Sequence, residues 1–166
     1  MCLAMSTEEN FHTLVANVDY PMFIVTAAAH GTRAGCLVGF ATQSSIDPPR
    51  LLVLLSKINR TYRLSQETGT LVVHFLHEGN HDLATLFGEE TGDEVDKFAG
   101  CQWQEGPQHT PVLRGTRGWV AGSILGRLDA GDHVAHLLEV NTAMTDVPGR
   151  PLAFQTVRDM EPGHPA

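Results

Sequence analysis

Apolar positions along this chain recur at two different periods, and the switches between them mark out short elements. Phe11, Leu14, Val15 and Val18 fall three and four apart behind Ser6-Thr7-Glu8-Glu9, a Ser with a Glu three positions on. That pattern predicts a capped amphipathic helix over residues 7–17. Pro21 ends it, and Met22–Ala28 is β-branched and apolar enough for a strand. His30-Gly31-Thr32 predicts a turn and Gly35–Gln43 the returning strand. Pro48-Pro49 breaks the chain, because Pro cannot donate to a ladder. The continuous apolar run Leu51–Ser56 is expected of a strand covered on both faces. Asn59 predicts an N-cap for a short helix over Arg60–Glu67, closed by Gly69, and Thr70–Leu76 the next strand.

Asn80 is expected to cap a helix through Leu83, Leu86 and Phe87 that stops at Gly88. The acidic residues 88–100 predict a solvated loop with a helical turn ending at Phe98. Residues 105–118, rich in Gly, Pro and Arg, predict a loop with one brief strand near Val112. Trp119–Leu128 and His133–Met144 predict two strands joined by Asp129-Ala130-Gly131-Asp132, a hairpin loop with the Gly such turns require. Pro151–Val157 is expected as a last strand, followed by a mobile tail after Asp159. About six strands in short antiparallel connections with three small helices make the fold class mainly β, a β-barrel with peripheral helices rather than a doubly wound sheet.

Composition narrows this further. With 166 residues, 42% hydrophobic and 18% charged, the chain reads as one globular domain over 1–166. Its 16 Gly and 9 Pro support many turns between short strands. A net charge of −8 argues against nucleic acid as a partner. Cys2, Cys36 and Cys101 are odd in number and lack a CxxC spacing, which suits a reducing cytosol better than a disulfide framework. The first basic residue is Arg33, so no cationic leader region is seen, and no apolar run approaches the ~18 residues of a membrane helix. A cytoplasmic protein with no membrane contact is expected.

Candidate chemistry concentrates in residues 31–63. Small residues there let a flat ligand approach backbone, and hydroxyls, N–H groups and cations suit phosphate oxygens. Gly and Ser building a tight corner, with Lys57 and Arg60 in solvent, account for the same residues. No GxxxxGK[ST] or GxGxxG is present. His77-Glu78-Gly79-Asn80-His81 matches the HExxH zinc string, but Gly79-Asn80 would interrupt the helix that must present both His on one face, so coincidence is expected. No nucleophilic triad order stands out, and no metal site is expected. His133, at the mouth of the hairpin after Gly131-Asp132, is either a turn histidine bonded to backbone or a donor facing a ligand.

Three pieces in one order carry a resemblance. They are Gly35–Pro49, with Ser45-Ile46-Asp47-Pro48-Pro49; then Leu51–Ser56 with Lys57 and Asn59-Arg60-Thr61; then Gly131-Asp132-His133 before a long strand. Asp96-Lys97-Phe98 fits as well. Together these resemble the flavin reductase-like family, the FMN-binding split barrels, over about residues 15–157. The resemblance implies a Greek-key-like antiparallel split barrel and a homodimer with flavin near the subunit interface. It implies hydride transfer from NADH or NADPH to FMN or FAD, with a two-component monooxygenase as a possible partner for the reduced flavin. A non-catalytic flavin-binding module and an FMN-dependent oxidase of a small substrate are the alternatives.

By position, the resemblance implies that Phe40, Ala41, Thr42 and Gln43 line the isoalloxazine and ribityl chain, with Gly39 counted among the cofactor contacts. It places Ser45, Ser56, Lys57 and Thr61 at the phosphate, and His133 beside the ring as the catalytic residue. Cys36-Leu37-Val38-Gly39-Phe40 stands where the family commonly has Met-Thr-Ala-Asn-Ser, so backbone and a partner subunit are expected to supply contacts that side chains usually make.

Overall fold

The computed structural model describes residues 5–163; Cys2 lies outside them. The capping box forms, with Glu9 N donating to Ser6 Oγ and Ser6 N to Glu9, and opens helix α1 (Thr7–Ala16). None of its residues is buried, and Phe11 and Leu14 are 59% and 70% exposed, so its apolar stripe faces out.

Strands β1 (Phe23–Ala29), β2 (Thr32–Val38), β3 (Ala41–Ser45) and β4 (Arg50–Ser56) precede helix α2 (Arg60–Ser65) and β5 (Thr70–Phe75). Helix α3 (His81–Glu89) leads to a short ribbon, β6 (Trp103–Glu105) with β7 (Pro111–Leu113). The long hairpin β8 (Gly118–Asp129) and β9 (His133–Thr145) and the helical turn α4 (Phe154–Val157) complete the chain. Seven strands form one antiparallel sheet in the order β2-β1-β5-β8-β9-β4-β3. The sheet curls so that Cys36 and Val38 of β2 share a buried cluster with Val53 and Leu55 of β4 and Leu138 of β9. The mainly β, barrel-like architecture with peripheral helices is the expected one.

Several details differ from expectation. The single strand over Gly35–Gln43 is two strands, because the chain corners at Gly39-Phe40: β2 pairs with β1, and β3 with β4. A second partner strand, β6, accompanies the brief one near Val112. Pro151–Val157 is not a strand: Pro151 and Ala153 make isolated bridges to His77 and Pro21, and the chain then turns helical. The described part of the tail after Asp159 packs down, with Met160 in an apolar cluster and Gly163 N donating to Gly88 O at 3.1 Å.

The acidic loop is likewise engaged. Both carboxylate oxygens of Asp93 accept from Arg63 Nη2, at 2.6 and 2.7 Å, and Asp96 lies 3.4 Å from Arg33. The HExxH string forms no helix: His77 Nε2 donates to Gly115 O, and its Nδ1 accepts from Gly79 N. Asn80 holds the same corner, accepting from His77 N and donating to Gly115 O, rather than capping α3 with its side chain. Among the described residues, no helix is long and apolar enough to cross a membrane.

Candidate functional site

The hydrogen-bond register brings two separated sequence pieces together. Antiparallel pairing of β4 with β9 sets Ser56 directly opposite His133. Lys57 N donates to Asp132 O at 2.9 Å, so the hairpin mouth is tied to the end of β4. Gly131, at φ +117°, and Asp129 Oδ1, accepting from Gly131 N at 3.0 Å, shape the turn that presents His133. The His133 side chain is 20% exposed, and its Nδ1 donates to Asp132 Oδ1 at 2.7 Å. That bond holds the Asp132 carboxyl below the usual carboxylate range and leaves Nε2 as the ring nitrogen not committed to it.

His133 lines a cleft of about 440 Å³, a volume that suits a cofactor. The lining around His133 is aromatic. Phe40 lies 5.2 Å from the His133 ring, Tyr20 6.4 Å from Phe40, and Phe154 is stacked on Tyr20 at 4.6 Å and 11°. Gly39 makes the arrangement possible, since a Cβ there would come within 2.6 Å of the Tyr20 ring. The usual polar side chain at this position is therefore sterically excluded, and backbone lines the cleft instead.

A second group of lining residues is polar and cationic. Asn59 caps α2, its Oδ1 accepting from Thr61 N at 2.9 Å. Arg60 donates from Nη1 to Gly92 O and lies 4.0 Å from Asp93, so the loop after α3 is held over the start of α2. Lys97 lies beneath, buried, its Nζ donating to Gly35 O and Phe87 O at 3.2 and 3.0 Å, and burial lowers its pKa. Burial raises the pKa of the neighbouring Cys36 thiol. Met160 and Pro162 of the C-terminal segment form part of the remaining wall.

Of the sequence-predicted residues, Gly39, Phe40, Ser56 and His133 line this cleft. Thr42 and Gln43 are exposed on edge strand β3, where the Gln43 amide donates to Ser45 O at 3.1 Å. Ala41 and Ser45 lie on the same strand and are not in the lining. Lys57 Nζ is on the Asp129 carboxylate, at 2.8 and 2.9 Å. Thr61 is completely buried. Arg60 and the Phe154–Pro162 wall carry much of the cleft and were not singled out as site residues. Arg60 gave a signal, as a cation at a capped helix start; the tail gave none.

A family model for a flavin reductase like domain matches residues 15–162. The reductase subunit HsaB of a flavin-dependent monooxygenase from Mycobacterium tuberculosis is 32% identical over 124 residues, covering 70% of this chain and 64% of that protein. The Rhodococcus jostii subunit of the same name is 32% identical over 148 residues, covering 87% and 72%. The FMN reductase (NADH) RutF of Pseudomonas syringae is 31% identical over 111 residues, covering 67% and 62%. This chain thus spans somewhat under two thirds of the length of several relatives it matches. Among solved structures, a flavin reductase domain protein from Arthrobacter superposes with a TM-score of 0.81 at 25% identity, covering 88% and 89% of the two chains. The Streptomyces globisporus NADH:FAD oxidoreductase SgcE6 has the same fold, with a TM-score of 0.82 at 20% identity, covering 92% of each chain.

Proposed function

Because the chain belongs to the flavin reductase-like family, we propose that its cleft binds a flavin and serves as the site of an NAD(P)H:flavin oxidoreductase. The observation that carries this is that one cleft is lined both by an aromatic group around His133 and by a cationic group around Arg60. A flavin carries a part to match each, a planar ring and a phosphate. When bound, it supplies a ring that accepts a hydride from a nicotinamide.

The chain's own part is positioning and electrostatics. Phe40 and Tyr20 give the cleft an aromatic wall on which a flat ring can lie, which favours stacked, close-lying reactants. His133, oriented by Asp132, holds or gives up a proton at Nε2 beside that wall. Arg60 and Asn59 face the phosphate, where a charge-assisted hydrogen bond is worth about 1.5–3 kcal/mol. The buried Lys97 supplies positive charge behind them.

Ala41, Thr42, Gln43 and Ser45 are proposed to act at a subunit boundary. The unpaired edge of β3, with exposed Phe40 and Ile46 at its ends, supports a homodimer formed there. The names of the Mycobacterium and Rhodococcus relatives support delivery of reduced flavin to a separate monooxygenase. The free thiols of Cys36 and Cys101 are consistent with a reducing, cytoplasmic setting. The test is consumption of NADH or NADPH with and without added FMN or FAD. Consumption that depends on added or bound flavin is expected; none with either nucleotide and either flavin contradicts the proposal.

A further inference from the structure

Beside the cationic lining of the cleft lies a second cavity of about 420 Å³, between the start of β2 and the loop Gly92–Phe98. Arg60, Gly92, Asp93 and Lys97 line both cavities, so the two adjoin at the Arg60–Gly92 contact. A ligand whose phosphate reaches Arg60 therefore has a built compartment to continue into.

The compartment's chemistry is specific. Arg33 stacks its guanidinium on Trp103, with Cζ 4.7 Å from that ring centroid and 5.6 Å from Phe98. Asp96, 3.4 Å away, fixes the plane from one edge. The Arg33 side chain is still 41% exposed, so a flat cationic surface is presented to the cavity. Guanidinium planes of this kind accept nucleobases by stacking. Glu94 and Asp96 add carboxylate acceptors, which match ribose hydroxyls and an exocyclic amine. The same carboxylates disfavour a further phosphate, so the occupant expected here is a nucleoside, with its phosphates left at Arg60.

We infer that this cavity is an adenosine subsite: the flavin ligand preferred by this chain is the dinucleotide FAD, with its pyrophosphate at Arg60 and its adenosine on Arg33. The inference rests on the flavin-binding reading of the main cleft and assigns Arg33 as a positioning residue for the ligand's far end.

The test is calorimetric titration of the full chain with riboflavin, FMN and FAD. FAD is expected to bind about tenfold more tightly than FMN, the gain from one stacked base. Arg33→Ala should remove that gain and leave the FMN affinity unchanged. Thr32→Trp, which fills the cavity mouth from an exposed position, should do the same. FAD binding no tighter than FMN by the unaltered chain overturns the inference without any variant. So does an Arg33→Ala protein that raises the KM for NADH while its FAD affinity stays the same, which would assign the cavity to the nicotinamide nucleotide. Failure of all three flavins to bind would instead overturn the reading of the main cleft, and the two failures are thus distinguished.

Discussion

The His133 imidazole lies 5.2 Å from the Phe40 ring, centroid to centroid, tilted by 57°, although 93 positions separate them in the chain. Phe40 occupies the corner between β2 and β3, and His133 opens β9; the β4–β9 register holds them together. His133→Ala is expected to slow hydride transfer by about a hundredfold, the lower range of a positioned proton donor, while flavin affinity changes far less. Anaerobic stopped-flow reduction measured beside a flavin titration checks this. An unaltered reduction rate would remove His133 from the chemistry.

Two nearby cations should separate cleanly. Lys57 is outside the cleft lining and is neutralised by Asp129, whose carboxyl that contact holds below its usual range; Arg60, although bonded to Gly92 O and 4.0 Å from Asp93, lines the cleft. Arg60→Ala is expected to weaken FMN roughly 10- to 100-fold, corresponding to about 1.5–3 kcal/mol for a charged hydrogen bond, and to leave riboflavin nearly unchanged. Lys57→Ala should shift FMN by less than about threefold, as exposed pairs contribute little. The reverse ranking in a calorimetric titration would return the phosphate to Lys57.

Much of this was legible in the chain. Met22–Ala28, Leu51–Ser56 and Thr70–Leu76 declare themselves as strands because their apolar, β-branched side chains fill one curled core. The hairpin and its histidine were legible because Gly131 can take a positive φ at the turn. The corner at Gly39-Phe40 was hidden, since continuous apolar residues on either side read as one strand and only tertiary pairing splits them. The choice between Lys57 and Arg60 was also hidden: both are cations in one short stretch, and only the distant Asp129 and Gly92 tell them apart. The segment from Met160 to Pro162 carries no periodicity to announce that it walls the cleft.

Stability should fall on mild acidification. His74 is fully buried; its Nδ1 donates to Ile24 O at 3.0 Å and its Nε2 accepts from Leu113 N at 2.9 Å, pinning β7 to the sheet in the neutral tautomer. Burial lowers its pKa from 6.5 to about 4. With the folded value depressed, the contribution is fully present above pH 6.5 and is lost as pH falls through about 4, amounting to about 3 kcal/mol across that window. His136, also lowered by burial, acts in the same direction. Urea midpoints measured across this range should decline, and His74→Asn should be less stable at neutral pH with a shallower acid decline. A variant whose acid decline matches that of the unaltered protein would contradict this assignment.

The most direct test of the central claim is one anaerobic spectrum. The purified chain is loaded with FAD or FMN under argon, and NADH or NADPH is added in slight excess. The account predicts that the yellow flavin absorbance bleaches within the time of a single turnover, and that it returns when air is admitted. Flavin that stays yellow with both nucleotides would contradict it.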